Sequence, residues 1–399
     1  MRVLLTSNAT HLPPRGGSTR SNLAWLRHLA AVGHACVVVC PAPDGQADQV
    51  VEQDGITHYL VRDLGFRPAE LGRIIRSTQP DWVLVSSEDV THVLLGEASA
   101  ASPGRVVYLA HTPQFLPFGP ESWHADAAAT ARVRAAASVV VIGHHMAGYV
   151  EQHLGRRPAV VHPPIYGQPP YRQFGRFGAG FVLMINPCAV KGLGLFLEIA
   201  ARFPDVEFAA LRGWGTTAAD ARSLAALPNT RLLENVSNIE DVLCQARLLL
   251  MPSVWYEGFG LIAMEALLRG LPVVSSDSGG LAEAKHGTGY VVPVRAVERY
   301  EPVFDDTRMP RAVIPAQDVE PWVAALKRLL ADETEYRAEA ERSRAAALAF
   351  VERLDAADFE RHLNTLTPAA EPIAADPARA LDAAKRALLL ARLKKKGRP

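Results

Sequence analysis

The stretch "WYEGFGLIAMEALLRGLPVV" (255–274) sets two glutamates, Glu257 and Glu265, on either side of a glycine-flanked phenylalanine. A helix starting near Gly260 leaves Glu257 in the loop before it and Glu265 inside it. The N–H groups of Gly258, Phe259 and Gly260 then point outward without intrahelical partners. Such an end carries partial positive charge and attracts anions, and glycine, lacking a Cβ, lets a ligand approach the main chain closely. From Phe259 to Glu265 a helix rises about 9 Å at ~1.5 Å per residue, roughly the span of a diphosphate with a sugar ring at each end. A carboxylate accepts two hydroxyl hydrogen bonds side by side, which suits a sugar diol. The spacing therefore fits an extended ligand, with Glu257 on the hydroxyls of a hexose and Glu265 on the ribose of a nucleotide. The plainer alternative makes Glu265 a solvent-facing helix residue and Glu257 an acid favoured by the dipole. Against it, "FGLIAMEALLRGLPVV" is apolar nearly all round, so its helix should be buried, and a lone buried glutamate is costly unless paired.

Such a helix needs a sheet to position it. "MRVLLTSN" reads as a buried strand, "ATHLPPRGGSTR" as a loop broken by Pro13, Pro14, Gly16 and Gly17, and "SNLAWLRHLAAVGH" as a helix capped by Ser21 and stopped by Gly33. "ACVVVCP" is the next strand, and this order begins a doubly wound parallel sheet. Apolar runs without alternation at "WVLVSS", "RVVYLAH", "SVVVIG" and "AVVHPP" fit strands covered on both faces. The Pro-, Gly- and aromatic-rich "IYGQPPYRQFGRFGAG" reads as a linker, after which the pattern restarts with "GFVLMINP", "LGLFLEIAARFP" and "VEFAALRG". "RLLLMPS" and "PVVSSD" supply later strands, "VRAVERYEPVFDDTRMPRAVIPAQ" a long loop or insertion, and 319–366 a helical region. Four parts result: a Rossmann-like domain over 1–170, a second over 171–345, a closing helix over 346–366 returning to the first domain, and an Ala/Pro tether with a basic tail over 367–399.

Composition narrows the class. The 399 residues are 49% hydrophobic with 42 basic against 42 acidic side chains, so net charge points neither to nucleic acid nor to membrane. The opening residues hold too short an apolar run for a signal peptide, and no run is long enough to span a bilayer, which points to a cytoplasmic protein. The cysteines, 36, 40, 188 and 244, have no C-x-x-C pairing, the thirteen histidines no zinc-like spacing, and no Asp-x-Asp occurs. Neither a metal nor a resident cofactor is expected.

"YEGFGLIAMEALLRGLPVVSSDSGG" resembles the Glu-x7-Glu motif of the retaining glycosyltransferases of family 4, and "PPRGGSTRSNLAWLRHLAAVGHACVVV" and "KGLGLFLEIAARFPDVEF" extend the likeness over most of the compact chain. The resemblance implies a GT-B fold, two Rossmann-like domains facing a central cleft. It also implies a nucleotide-diphosphate sugar as co-substrate and an acceptor bound mainly by the first domain. Glu257 matches the glutamate facing donor-sugar hydroxyls. Gly258, Phe259, Gly260 and Leu261 match the backbone meeting sugar and diphosphate, and Glu265 the ribose-binding glutamate. Lys191 in "VKG" matches the lysine that neutralises the diphosphate, Gly16 and Gly17 the glycine loop near the donor phosphate, and His111 a histidine close to the transferring sugar. The family usually carries arginine five positions before the lysine. Here Asn186 stands there, so a diphosphate cation is missing unless Arg15, Arg20 or Arg212 replaces it. The implied reaction is sugar transfer to an acceptor hydroxyl with retention of configuration, in natural-product or glycoconjugate biosynthesis. The rival readings are a GT-B sugar-nucleotide epimerase or phosphorylase, and an inactive GT-B partner subunit.

The end of the chain stands apart. "RALDAAKRALLLARLKKKGRP" (379–399) has eight basic residues against one acidic, with Leu381, Leu388 and Leu389 roughly along one face. It reads as a basic amphipathic helix for a membrane surface or a protein partner, or as a solvated end. "LDAAKRALLLARLKKKG" resembles the short "LSPxKRALLLxRL" segments of nonribosomal peptide synthetase chains, which would make that partner a carrier or synthetase.

Overall fold

The computed structural model describes residues 1–14, 16–369 and 373, so Arg15 and the basic tail expected at 379–399 lie outside the described residues. Eight strands build the first sheet: β1 (Arg2–Thr6), β2 (Ala35–Pro41), β3 (Gln49–Gln53), β4 (Ile56–Val61), β5 (Trp82–Ser86), β6 (Val106–Ala110), β7 (Ser138–Val141) and β8 (Ala159–Val160). Their spatial order is β3-β4-β2-β1-β5-β6-β7-β8, parallel throughout except for the β3–β4 pair. The second sheet holds β9 (Phe181–Ile185), β10 (Phe208–Leu211), β11 (Thr230–Leu233), β12 (Ala246–Met251), β13 (Val273–Ser276) and β14 (Tyr290–Val292), ordered β11-β10-β9-β12-β13-β14 and all parallel. Continuously buried strands such as β5 and β6 follow from helices covering both faces, where no side chain meets water.

Both sheets reverse direction at one point, between β1 and β5 in the first and between β9 and β12 in the second. Ligands of open α/β sheets bind outside the carboxyl ends of strands at such reversals. The loop bearing Gly16 and Gly17 follows β1, His111 follows β6, Lys191 follows β9, and Glu257 follows β12. The winding thus carries these residues to the carboxyl ends of their sheets.

Three elements differ from the expectations. The helix expected to be capped by Ser21 starts a turn earlier and runs Gly17–Ala31, with Gly16 at its N-cap and φ of 90°, a value glycine adopts freely. The Ser21 hydroxyl instead donates to the Gly17 carbonyl at 2.8 Å. The β3–β4 hairpin, absent from the expectations, turns at Asp54-Gly55, both at positive φ, the pairing that tight hairpins favour. The expected long loop contains a second hairpin, β15 (Arg299–Phe304) with β16 (Pro310–Val313). It is half exposed and its register shifts between Glu301 and Phe304, so no clean alternation shows in its sequence.

The helical region past residue 319 divides into Glu320–Ala331, Glu333–Val351 and Asp358–Thr365, so the closing helix expected over 346–366 is split: its first residues end the long helix, and its last form Asp358–Thr365. Arg344 ties the long middle helix to the second domain by donating to the Leu268 carbonyl at 3.1 Å. The last helix lies on the first domain: Phe359 stacks on Trp25 with ring centroids 4.7 Å apart, His34 meets Glu360 at 2.8 Å, and Ser138 meets His362 at 2.8 Å. One apolar cluster, including Leu5, Trp25, Phe259, Met264, Phe350 and Phe359, runs through both domains. Among the described residues no helix is long and apolar enough to cross a membrane.

Phe359 is buried, and truncating a buried aromatic costs about 3–5 kcal/mol. Phe359→Ala is expected to lower the urea unfolding midpoint markedly, and Phe359→Leu to restore most of it.

Candidate active site

Lys191 closes a single 3-10 turn, Ala189–Lys191, just after β9. Gly192 makes the sharp exit at φ 83°, where an added Cβ would lie 1.9 Å from the Pro252 carbonyl oxygen. The turn therefore rests directly on the loop after β12. Across this contact Lys191 Nζ meets Glu257 Oε1 at 2.5 Å, and the Ser253 hydroxyl donates to the same oxygen at 2.8 Å. Lys191 Nζ also stands 5.4 Å from the ring centre of Trp255, within cation–π range. The side chains of Lys191 and Glu257 are 17% and 14% exposed, open enough for a ligand to reach both.

The helix expected from about Gly260 runs Leu261–Leu268, with Gly260 as N-cap at φ 116°. Gly258 passes so close to the first domain that a Cβ there would sit 2.0 Å from the His111 carbonyl oxygen. Gly17 and Leu261 meet in the same way, a Cβ on Gly17 falling 2.9 Å from Leu261 Cδ1. The first turns of helices Gly17–Ala31 and Leu261–Leu268 therefore converge across the cleft.

Glu265 is only 3% exposed, and its partner comes from the other domain. Arg20 reaches it with Nη2 to Oε1 at 2.5 Å and Nη1 to Oε2 at 3.3 Å. Burial pulls the Arg20 guanidinium down, but the charge and hydrogen bonds of Glu265 outweigh it and hold its pKa above the ordinary value. Tyr166, from the linker, lies in the field of this pair; burial and then Glu265 push its phenol well up, and its hydroxyl is buried with no hydrogen-bond partner.

His111 is buried at the end of β6 and its Nε2 lies 2.8 Å from the Asn22 side-chain oxygen. Nε2 therefore donates, and Nδ1, buried and unpartnered, is left as an acceptor. Burial lowers the His111 pKa and keeps the ring neutral. Asn22 in turn donates to Ser86 at 3.1 Å, Ser86 donates to Glu88, and His11 Nδ1 lies 2.9 Å from the Ala9 carbonyl. Sequence reasoning singled out His111 but missed its companions Asn22, His11, Ser86 and Glu88, which are dispersed in the chain and share only a place at or beyond the ends of β1 and β5.

Asn186 is buried and bonded to a neighbouring loop. Its backbone sits at φ 58°, a left-handed conformation that asparagine tolerates. Its Oδ1 accepts from Gly215 N–H at 2.8 Å, pinning the loop that carries Trp214, while its Nδ2 is buried without a partner. Position 186 thus serves the shape of the loop. Arg212 is engaged at the surface with Glu234 at 3.0 Å.

Sequence reasoning also missed an aromatic group. Trp123 lies edge-on to Trp255 (5.4 Å), Phe115 (5.2 Å) and Tyr300 (5.6 Å), and Trp214 joins Trp255 at 5.9 Å. Tyr300 and Met309 arrive on the β15–β16 hairpin, which packs this group across both domains. Nearby, Glu283 accepts the backbone N–H groups of His144 and His145 at 2.8 and 2.7 Å. Glu283, His144 and His162 offer ligand atoms within 4.8 Å of one another, but both Glu283 oxygens already serve as the cap of helix His144–Leu154.

A family model described as Glycosyltransferase Family 4 matches residues 15–166, and one described as Glycosyl transferases group 1 matches 177–332. A sequence comparison with curated proteins finds no match. Among solved structures, sucrose-phosphate synthase from Thermosynechococcus elongatus superimposes with a TM-score of 0.69 at 14% identity, covering 91% of this chain and 98% of that one. HepE of Anabaena in complex with UDP and glucose gives 0.62 at 15% identity, covering 92% and 98%. WaaG, a glycosyltransferase involved in lipopolysaccharide biosynthesis, gives 0.62 at 17% identity, covering 92% and 100%. Two facing parallel-sheet domains with a shared cleft are the GT-B architecture, and the protein is a glycosyltransferase of that class. Within it, the chain belongs with the group 1 and family 4 glycosyltransferases whose models match its two halves in turn.

The buried polar group makes the cleft wall sensitive to acid. His11 is fully buried and desolvation lowers its pKa from 6.5 to about 4, outweighing the Ala9 carbonyl and Glu88, while His58 and His111 add to the depression. Between these values the unfolded chain binds a proton that the folded chain refuses. The contribution is complete above pH 6.5 and is lost as pH falls toward 4, by about 3 kcal/mol. Melting temperatures measured from pH 7.5 to 4.5 are expected to fall, and less steeply for His11→Gln.

Proposed function

We propose that the protein is a retaining glycosyltransferase that moves a hexose from a nucleoside-diphosphate donor to an acceptor hydroxyl, with a natural product or a glycoconjugate as acceptor. The observation that carries this reading is the pair of ion pairs that follow one another through the cleft: Lys191 against Glu257 in the loop before the helix, and Arg20 of the first domain against Glu265 within it. A donor sugar diphosphate presents hydroxyls, two negative charges and a ribose diol in the matching order. HepE bound to UDP and glucose makes a uridine donor the first to test.

In this reading the diphosphate lies over the N-terminus of helix Leu261–Leu268, where free N–H groups and the helix dipole favour an anion. The bond from the sugar's anomeric carbon to the phosphate oxygen breaks with its electron pair leaving on the diphosphate. Lys191 stabilises that charge as it accumulates. The sugar passes through an oxocarbenium-like state, which the Glu257 carboxylate stabilises while holding its hydroxyls. The acceptor oxygen bonds the same face of the anomeric carbon, and its proton passes to the departing phosphate oxygen, so configuration is retained. His111 Nδ1, neutral and unpartnered, accepts a hydroxyl of the transferring sugar. Cation and helix N-terminus together meet the diphosphate charge without a metal. The β15–β16 hairpin, packed across both domains, shields the site from water.

Glu257→Gln is expected to leave the far-UV circular dichroism unchanged and to reduce transfer about 10²–10³-fold, the scale of losing one preorganised electrostatic contact. Donor turnover with and without EDTA should be equal. Transfer by Glu257→Gln at the parent rate would sink the assignment.

A further inference from the structure

Both oxygens of Glu265 are held by Arg20, a residue of the opposite domain. A ribose diol on Glu265 needs the same two oxygens, and with that side chain only 3% exposed Arg20 stands between them and an incoming ligand. Donor binding therefore displaces Arg20 and leaves its guanidinium in a partly buried cleft without a counter-charge, a costly state. A ligand that takes Glu265 has to bring Arg20 a new acceptor.

The diphosphate of the donor is that acceptor. Arg20 lies one turn into helix Gly17–Ala31, and the start of that helix touches Leu261 at the start of the other. An anion over the converging first turns lies between Lys191 and Arg20. The second domain has no second cation to offer from position 186, where Asn186 is committed to Gly215, and Arg212 is engaged with Glu234 at the surface. The buried, unpartnered hydroxyl of Tyr166 beside the pair marks the place where a further polar ligand atom fits.

We propose that Arg20 exchanges partners when the donor binds, leaving Glu265 to the ribose and moving to the diphosphate, so that the first domain supplies the second diphosphate cation. This rests on the donor site argued under Proposed function. Lys191 and Glu257, and Arg20 and Glu265, neutralise one another in the cleft; the donor gives the two cations its phosphate charges and the two carboxylates its sugar hydroxyls. Because Arg20 belongs to the first domain, the diphosphate then bridges both domains. A ligand with a ribose but no phosphate takes Glu265 and returns nothing to Arg20, so a nucleoside binds poorly.

Calorimetric titration of the full chain with uridine and with UDP tests this. The wild type is expected to bind UDP far more tightly than uridine. Arg20→Ala should weaken UDP about 10- to 100-fold while uridine binds as well as before or better, because Glu265 is freed. Arg20→Lys should recover part of the loss, its point charge replacing the charge but not the fork. Arg20→Gln, which keeps a hydrogen bond to Glu265, repeats the test should the alanine variant fail to fold. Unchanged or tighter UDP binding in these variants overturns the exchange, since Arg20 would then only block the site. Equal losses for UDP and uridine overturn it too, since Arg20 would then only orient Glu265. A wild type that binds none of UDP, GDP or ADP overturns the donor site itself, and the exchange with it.

Discussion

A carboxylate almost fully shut away from water has to face a cation, and in this protein that requirement joins two domains. Glu265 sits inside the apolar helix Leu261–Leu268, where Arg269 of its own domain donates to its backbone carbonyl at 3.0 Å. The side chain is answered by Arg20 across the cleft. Charged groups are retained in such places at a net cost, because desolvation offsets most of the attraction. A hydrophobic residue there would serve stability as well. The pair is therefore better explained by what it does when a ligand arrives than by what it contributes to the resting fold.

The rest of the structure keeps that cleft at one width. Gly258 and Gly17 let main chain and side chain of the two domains touch where any Cβ would wedge them apart. Glu283 of the second domain caps helix His144–Leu154 of the first, and helix Asp358–Thr365 brings the chain back to Trp25. Lys191 and Glu257 show the same economy: the turn that holds the lysine packs on the loop that holds the glutamate, bringing opposite charges to 2.5 Å while both stay open to the cleft.

Much of this is written locally in the chain. Unbroken apolar runs mark parallel strands because both sheet faces are covered, and Glu265 is conspicuous because an apolar helix otherwise has no use for it. The Asp54-Gly55 turn also carries a hairpin signal between two short strands, one that the expectations passed over. Other features depend on distance along the chain. Nothing in the surroundings of Arg20 indicates that its partner lies 245 positions away, and nothing near Trp123 announces Trp255 and Tyr300. Asn186 is the opposite case: its departure from the family's arginine is visible in the letters. Its reason, a left-handed backbone and a hydrogen bond to Gly215, exists only in three dimensions.

The central claim is that an activated sugar lies along the amino end of helix Leu261–Leu268 with acidic side chains at both extremities. The most direct measurement is a crystal structure of the protein soaked with UDP and with an intact UDP-hexose. The account predicts ribose hydroxyls within hydrogen-bond distance of the Glu265 carboxylate, phosphate oxygens over Gly258–Leu261, and hexose hydroxyls at Glu257. Nucleotide density elsewhere, with Arg20 still on Glu265 and Lys191 still on Glu257, would contradict it.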